Sequence, residues 1–171
     1  MNRTFFLLAA MFLMNCNSSP QLNKPTEKKI KASINTLMDN WHKDAANANL
    51  DNYIGAMDSA SIYIGTDATE NWSREAFEAF CKPYFDKKTT WDFTPIERNV
   101  YLNQTMQTAW FDELLNTQMG ICRGSGTLEL RDGQWKIKHY VLSMAIPNDK
   151  SSEVIKTKKA FDEDFLKHYD N

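Results

Sequence analysis

Residues 121–146 read ICRGSGTLELRDGQWKIKHYVLSMAI. Asp132-Gly133 at the centre is a two-residue hairpin signal, and the flanks alternate apolar with polar, so two long antiparallel strands are expected, Ile121 to Leu130 and Gln134 to Ile146. Counting outward from the turn pairs Leu130 with Trp135, Leu128 with Ile137, Gly126 with His139, Gly124 with Val141 and Cys122 with Ser143. Opposed residues share a face. Near the turn this face is apolar and calls for cover. Farther out, two glycines opposite His139 and Val141 predict a hollow. The opposite face carries Arg123, Ser125, Thr127 and Glu129 beside Lys136, Lys138, Tyr140, Leu142 and Met144. Its Tyr140, Leu142 and Met144 patch is too apolar for open water and is read as a dimer surface, with a C-terminal helix as the competing cover.

Upstream of the hairpin the period is also two. Trp91 to Leu102 and Thr105 to Leu115 read as two further strands, with turn signals at Asn103-Gln104 and from Asn116 to Gly120. Before them the period is helical. Ile30, Ile34, Leu37, Met38, Trp41 and Ala45 form one stripe over Glu27 to Ala46, and Leu50 to Met57 predicts a shorter helix. Ala60 to Ile64 is β-prone. Ser73 caps a third helix with its stripe at Phe77, Phe80, Cys81, Tyr84 and Phe85, and Pro83 inside that stretch predicts a kink or break. Ser151 to Tyr169 reads as a last helix that packs back on the domain. Helices followed by an antiparallel meander make an α+β fold with the helices on one sheet face.

The chain ends predict a place in the cell. Arg3 precedes the ten-residue apolar run Phe5 to Met14, too short to span a bilayer, and Leu13-Met14-Asn15-Cys16 is similar to a bacterial lipobox with Cys16 as the lipidated residue. Asn15 departs from the small residue usual before that cysteine, and simple signal cleavage is the alternative. The expected organisation is a signal peptide and lipobox over 1–16, a polar tether over 17–26, one domain over 27–147 and a C-terminal helix or tail over 148–171. The expected location is the bacterial cell envelope, with membrane contact only through the lipid anchor.

With 42% hydrophobic and 12% aromatic residues, the chain can bury a core without staples. A net charge of −2 leaves no basic excess to displace counterions, so a nucleic-acid partner is not expected. Cys81 and Cys122 lack metal-ligand or CxxC spacing. They are read as buried thiols, with a disulfide closing a loop of about 40 residues, worth about 3–4 kcal/mol, as the alternative. No metal and no cofactor is expected.

Two residues carry the catalytic possibilities. His139 beside the glycine hollow suits general acid–base work or a ligand contact, against the plainer role of a hydrogen-bonded core histidine. In Ala109-Trp110-Phe111-Asp112-Glu113 the inward acid is Asp112 if Trp110 faces in, and Glu113 if Phe111 does. An inward carboxylate could serve as a base with raised pKa.

Gly65-Thr66-Asp67 with Glu70-Asn71-Trp72 before a helix, then Arg123, then Arg131-Asp132-Gly133-Gln134-Trp135 through His139-Tyr140-Val141-Leu142-Ser143, resembles the SnoaL-like branch of the nuclear-transport-factor superfamily. The ending is similar to the association domain of calmodulin-dependent kinase. The resemblance covers about Glu27 to Pro147 and implies a cone-shaped, strongly curved antiparallel sheet with N-terminal helices on its concave face, the C-terminal helix being an appendage. It implies that Trp135, His139 and Ser143 face the pocket, and it favours Asp112 over Glu113. The kinase domain has arginines at the places of Asp112 and Gly126, and a histidine at that of Val141, so an anion-binding pocket is not implied. Three functions follow as expectations. The first is non-catalytic binding of a small apolar or aromatic molecule, with Trp41, Tyr63, Trp72, Trp110, Gly126, His139 and Ser143 around it. The second is a lyase or isomerase using Asp112 and His139. The third is a structural dimerisation domain whose hollow is filled by its own side chains. A homodimer through the outer sheet face is expected.

Overall fold

The structure is a computed structural model that describes residues 26–169. The leader, Cys16 and most of the tether therefore lie outside the described residues. Among those described, no helix is long and apolar enough to cross a membrane.

Helix α1 (Glu27–Ala46) buries Ile30, Ile34, Met38, Trp41, His42 and Ala45 on one stripe, the helical steps that its sequence contains. A short α2 (Leu50–Gly55) leads into β1 (Met57–Ile64) and a three-residue β2 (Asn71–Ser73). Ser73 caps α3 (Arg74–Asp86), its side chain accepting from the Ala76 amide at 3.2 Å. The helix runs through Pro83 without ending there. Pro83 and Ala79 are both exposed, so the Ala79 carbonyl that the proline cannot satisfy faces water. Strands β3 (Thr94–Leu102), β4 (Thr108–Thr117), β5 (Gly120–Arg131) and β6 (Gln134–Met144) follow, then a 3-10 turn (Asn148–Lys150) and α4 (Ser151–Leu166).

The α+β class holds, but the expected cone is corrected. The six strands lie in the order β2-β1-β6-β5-β4-β3, and β1 runs parallel to β6 while every other pairing is antiparallel. The sheet is therefore mixed, open and not strongly curved. Closing it would require its edges to meet, yet β2 is three residues long and β3 lies beyond four intervening strands. The β1–β6 pairing joins residues 77 to 80 positions apart, Tyr63 with Tyr140 among them, and no local pattern announces it.

A second correction concerns register. Leu130 pairs with Trp135 and Leu128 with Ile137, as the turn dictates, but the ladder then shifts by one. Lys138 is the extra residue, a bulge, and its ammonium bonds to Asp58 on β1 at 2.9 Å. Beyond it Thr127 faces His139, Gly126 faces Tyr140, Gly124 faces Leu142 and Arg123 faces Ser143. A one-residue slip turns every later side chain over. Tyr140 and Leu142 are consequently buried under the helices, not displayed on a dimer patch, whereas His139 and Ser143 stand on the outer face. The C-terminal helix does not pack back either: no residue of α4 is buried, Phe161 is 79% exposed, and the element's main contact is the 3-10 turn before it.

Candidate functional site

On the inner face of β4 the odd residues Ala109, Phe111, Glu113 and Leu115 are all buried. Glu113 is 1% exposed and takes three donors. His42 Nε2 lies 3.0 Å from Oε1, the Tyr140 hydroxyl donates to the same oxygen at 2.9 Å, and Arg98 Nε donates to Oε2 at 2.8 Å. An ionised carboxylate only accepts, so His42 carries its proton on Nε2. Burial works to raise the Glu113 pKa, but the hydrogen bonds and charges of His42 and Arg98 outweigh it and hold the carboxyl below the usual range. Burial, with the Glu113 charge added, pushes the Tyr140 hydroxyl well up. Arg98 continues outward to the Asn35 carbonyl at 3.2 Å and the Asp39 carboxylate at 2.7 Å, both on α1. Two ties to α1, one through His42 and one through Arg98, thus converge on one β4 carboxylate.

The glycines expected to leave a hollow instead make room for this cluster. A Cβ on Gly124 would overlap Tyr140 Oη and sit 2.8 Å from Glu113 Oε1. One on Gly126 would overlap the His139 carbonyl oxygen and come within 3.0 Å of the Phe111 ring. Side chains fill the space, and the cavity lies elsewhere.

It lies between β1, β2, α3 and the segment after α3, with a volume of about 210 Å³. Seven rings line it: Tyr63 and Trp72 from the strands, Phe77, Phe80 and Tyr84 from α3, then Trp91 and Phe93. Tyr63 stacks on Phe77 with centroids 3.8 Å apart, and Trp72 on Phe80 at 4.6 Å. The helical stripe of α3 supplies three rings at i, i+3 and i+7, and the alternation of β1 turns Tyr63 inward. Leu142 and the turn residues Gln118 and Met119 complete the wall, with Gly65, Thr66 and Glu70 at the β1–β2 loop. Burial above all, with the Cys81 and Glu70 charges behind it, pushes the Tyr63 hydroxyl up. Neither Glu113, His42 nor Tyr140 lines this cavity; two of its wall rings stand next to the cluster, Phe93 edge-on to His42 at 6.0 Å and Tyr63 stacked on Tyr140 at 5.5 Å. A larger depression of about 770 Å³ lies between the first turns of α1 and the β5–β6 turn, but it holds one ring, Trp135, and no acid.

Of the sequence candidates, Tyr63 and Trp72 line the cavity. Trp41 is a core residue, stacked on Tyr53 at 4.9 Å and donating to its carbonyl at 3.0 Å. Trp110 is 45% exposed on the outer face, against Tyr101. The inward placement of Asp112 is corrected: it stands on the outer face, accepting from Asn99 at 3.3 Å, with Arg123 at 3.9 Å. Asp112 and His139 share that face, on β4 and β6 with β5 between them, and are not brought together. The sequence offers Arg98, along with Glu97 and Arg123, as a partner for a buried acid without deciding among them, and the structure selects Arg98; His42, next to Trp41 on the buried face of α1, is not singled out by pattern. Cys81 and Cys122 are free and buried, and burial pushes the Cys81 thiol up to about 12. Among the described residues no group of three His, Cys, Asp or Glu is placed to hold a metal.

Residues 34–147 match the family model of the SnoaL-like domain. No match to this chain was found among curated proteins. Solved structures share the fold at low identity. An NTF2-like protein of unknown function from Pseudomonas putida KT2440 superposes with a TM-score of 0.62 at 12% identity, over 74% of this chain and 94% of that one. The association domain of C. elegans CaMKII gives 0.58 at 17%, over 69% and 98%. A domain of unknown function with a cystatin-like fold from Nostoc punctiforme gives 0.62 at 10%, over 84% and 98%.

Proposed function

We propose that this chain, which belongs to the SnoaL-like domain family, binds a small apolar or aromatic molecule in the ring-lined cavity and does no chemistry on it. The observation that carries the reading is the separation of the two features. The cavity is walled mainly by rings, with Glu70 its one charged lining residue, while no member of the cluster around Glu113 lines it and that cluster's donors converge on its own carboxylate. A catalytic acid or base has to come within hydrogen-bond reach of its substrate, and the cluster's position argues against that. Export and a lipid anchor at Cys16 complete the proposal, placing the cavity in the cell envelope. So does self-association through the outer sheet face, where Tyr101 and Trp110 stack at 5.9 Å yet stay exposed. The likeness to an association domain supports that part.

Native mass spectrometry of the protein purified from its own host tests the reading. A small molecule should travel with the wild type and with Asp112→Ala, and be lost from Trp72→Ala and Phe80→Ala. Retention in both cavity variants, with loss from Asp112→Ala, would move the site to the outer face and overturn the proposal.

A further inference from the structure

The cavity has one charged group at its lip. Glu70 closes the β1–β2 loop, where the Gly65 amide donates to its carbonyl at 2.9 Å and the Asp67 amide to its carboxylate Oε2 at 3.1 Å. A Cβ on Gly65 would overlap that carboxylate, so the glycine leaves room for Glu70 to lie against the loop. The loop thus fixes the carboxylate at the cavity mouth. Yet among the described residues no lysine, arginine or histidine lies within 4.0 Å of it, and none lines the cavity.

An unpaired acid above aromatic ring faces sets a definite preference. Ring faces are negative and attract cations, and a fixed carboxylate adds to that attraction. A neutral guest would gain only the ring contacts and would strip water from the carboxylate without replacing it. An anion would meet Glu70 with like charge. Among these rings Trp72 and Trp91 lie near parallel to Phe80, at 23° and 26°, while Tyr84 stands across them at 46° to Phe80 and 61° to Trp91.

Resting on the ligand-binding reading above, we infer that the cavity's ligand is a small organic cation, a methylated or otherwise substituted ammonium, held by Trp72, Phe80, Tyr84 and Trp91 and paired with Glu70. About 210 Å³ is room for a head group of that size.

Choline and its neutral isostere 3,3-dimethylbutan-1-ol share shape and differ in charge, so calorimetric titration of the full chain with each reads the charge preference directly. Choline should bind at least tenfold more tightly. Glu70→Gln, which keeps an acceptor for the Asp67 amide, should remove most of that ratio by weakening choline, and should leave the isostere bound at least as tightly as before. Trp72→Leu should weaken both and weaken choline more. Equal binding of the two molecules, both abolished by Trp72→Leu, would overturn the cation inference and leave the apolar pocket standing. Absence of binding by either, together with an unoccupied cavity in the protein from its host, would remove both readings.

Discussion

Gly124→Ala adds a single methyl group at the point where β5 passes beneath the Glu113 cluster. That methyl would overlap Tyr140 Oη and approach Glu113 Oε1 to 2.8 Å and Cγ to 2.9 Å. Neither neighbour can swing away: Tyr140 is fully buried, edge-on to Trp41 at 4.8 Å, and Glu113 is held by His42 and Arg98. Overpacking a filled core costs about 1–3 kcal/mol. Displacing the Tyr140 hydroxyl from its acceptor leaves a buried donor unpaired, for about 1–3 kcal/mol more. A total of about 2–6 kcal/mol corresponds to a fall in Tm of roughly 4–24 °C for a chain of this length. Thermal unfolding followed by circular dichroism, with urea titration for the free energy, measures it. Tyr140→Phe supplies the control, because removing Oη vacates the nearest of the overlapped positions. The double variant should be more stable than the sum of the single losses predicts, with a coupling of about 1 kcal/mol or more. A Gly124→Ala protein as stable as the wild type, or strict additivity with Tyr140→Phe, would refute the packing described for this cluster.

Other perturbations separate the cluster from the surface. Glu113→Ala leaves Arg98, His42 and the Tyr140 hydroxyl without their common acceptor, and should cost about 3–5 kcal/mol in urea unfolding. Glu113 also gives a pH signature. Its folded pKa is depressed below an unfolded value of about 4.3, so its contribution is complete above that value and is lost as pH falls through the folded one. Wild-type stability should therefore decline more steeply than that of Glu113→Gln as pH falls from about 5 through the depressed folded value, and parallel pH profiles would contradict this assignment. Asp112→Ala and His139→Ala, on the outer face, should each change stability by less than about 1 kcal/mol and leave ligand binding intact. Cys81 and Cys122 should resist iodoacetamide until denaturant is added, and thiol reductant should leave Tm unchanged, since the two are unpaired and buried.

Much of the fold is legible in the sequence because its signals are local. The α1 stripe, the Ser73 cap and the Asp132-Gly133 turn each act over a few residues, and each appears where the pattern puts it. What the pattern misses is non-local or cumulative. Parity counted from a turn is correct only until the first bulge, and Lys138 comes directly after the last correct anchor on that strand, Ile137, so His139 and Tyr140 exchange faces. The parallel union of β1 with β6 depends on the chain crossing over α3, β3, β4 and β5, which no short-range periodicity encodes. The choice between Asp112 and Glu113 was partly readable. The set Ala109, Phe111, Glu113 and Leu115 holds one polar residue, whereas Trp110, Asp112, Leu114 and Asn116 hold two, and the less polar set is the buried one. The resemblance pointed to the other. A buried acid in that set is legible only together with its partners, and His42 and Arg98 lie 71 and 15 residues away. The cavity itself combines β1, β2, α3 and the following segment, and each of its rings alone reads as ordinary core.

The five tryptophans divide the molecule among them: Trp41 in the core, Trp72 and Trp91 at the cavity, Trp110 on the outer sheet face and Trp135 at the larger depression. Following their indole N–H resonances while benzyltrimethylammonium, both aromatic and cationic, is titrated into the full chain therefore locates the ligand site in one experiment. Saturable shifts at Trp72 and Trp91, with Trp110 and Trp135 stationary, are the predicted result. Shifts led by Trp135 or Trp110, or none at any of the five, would contradict the assignment of the ring-lined cavity as the binding site.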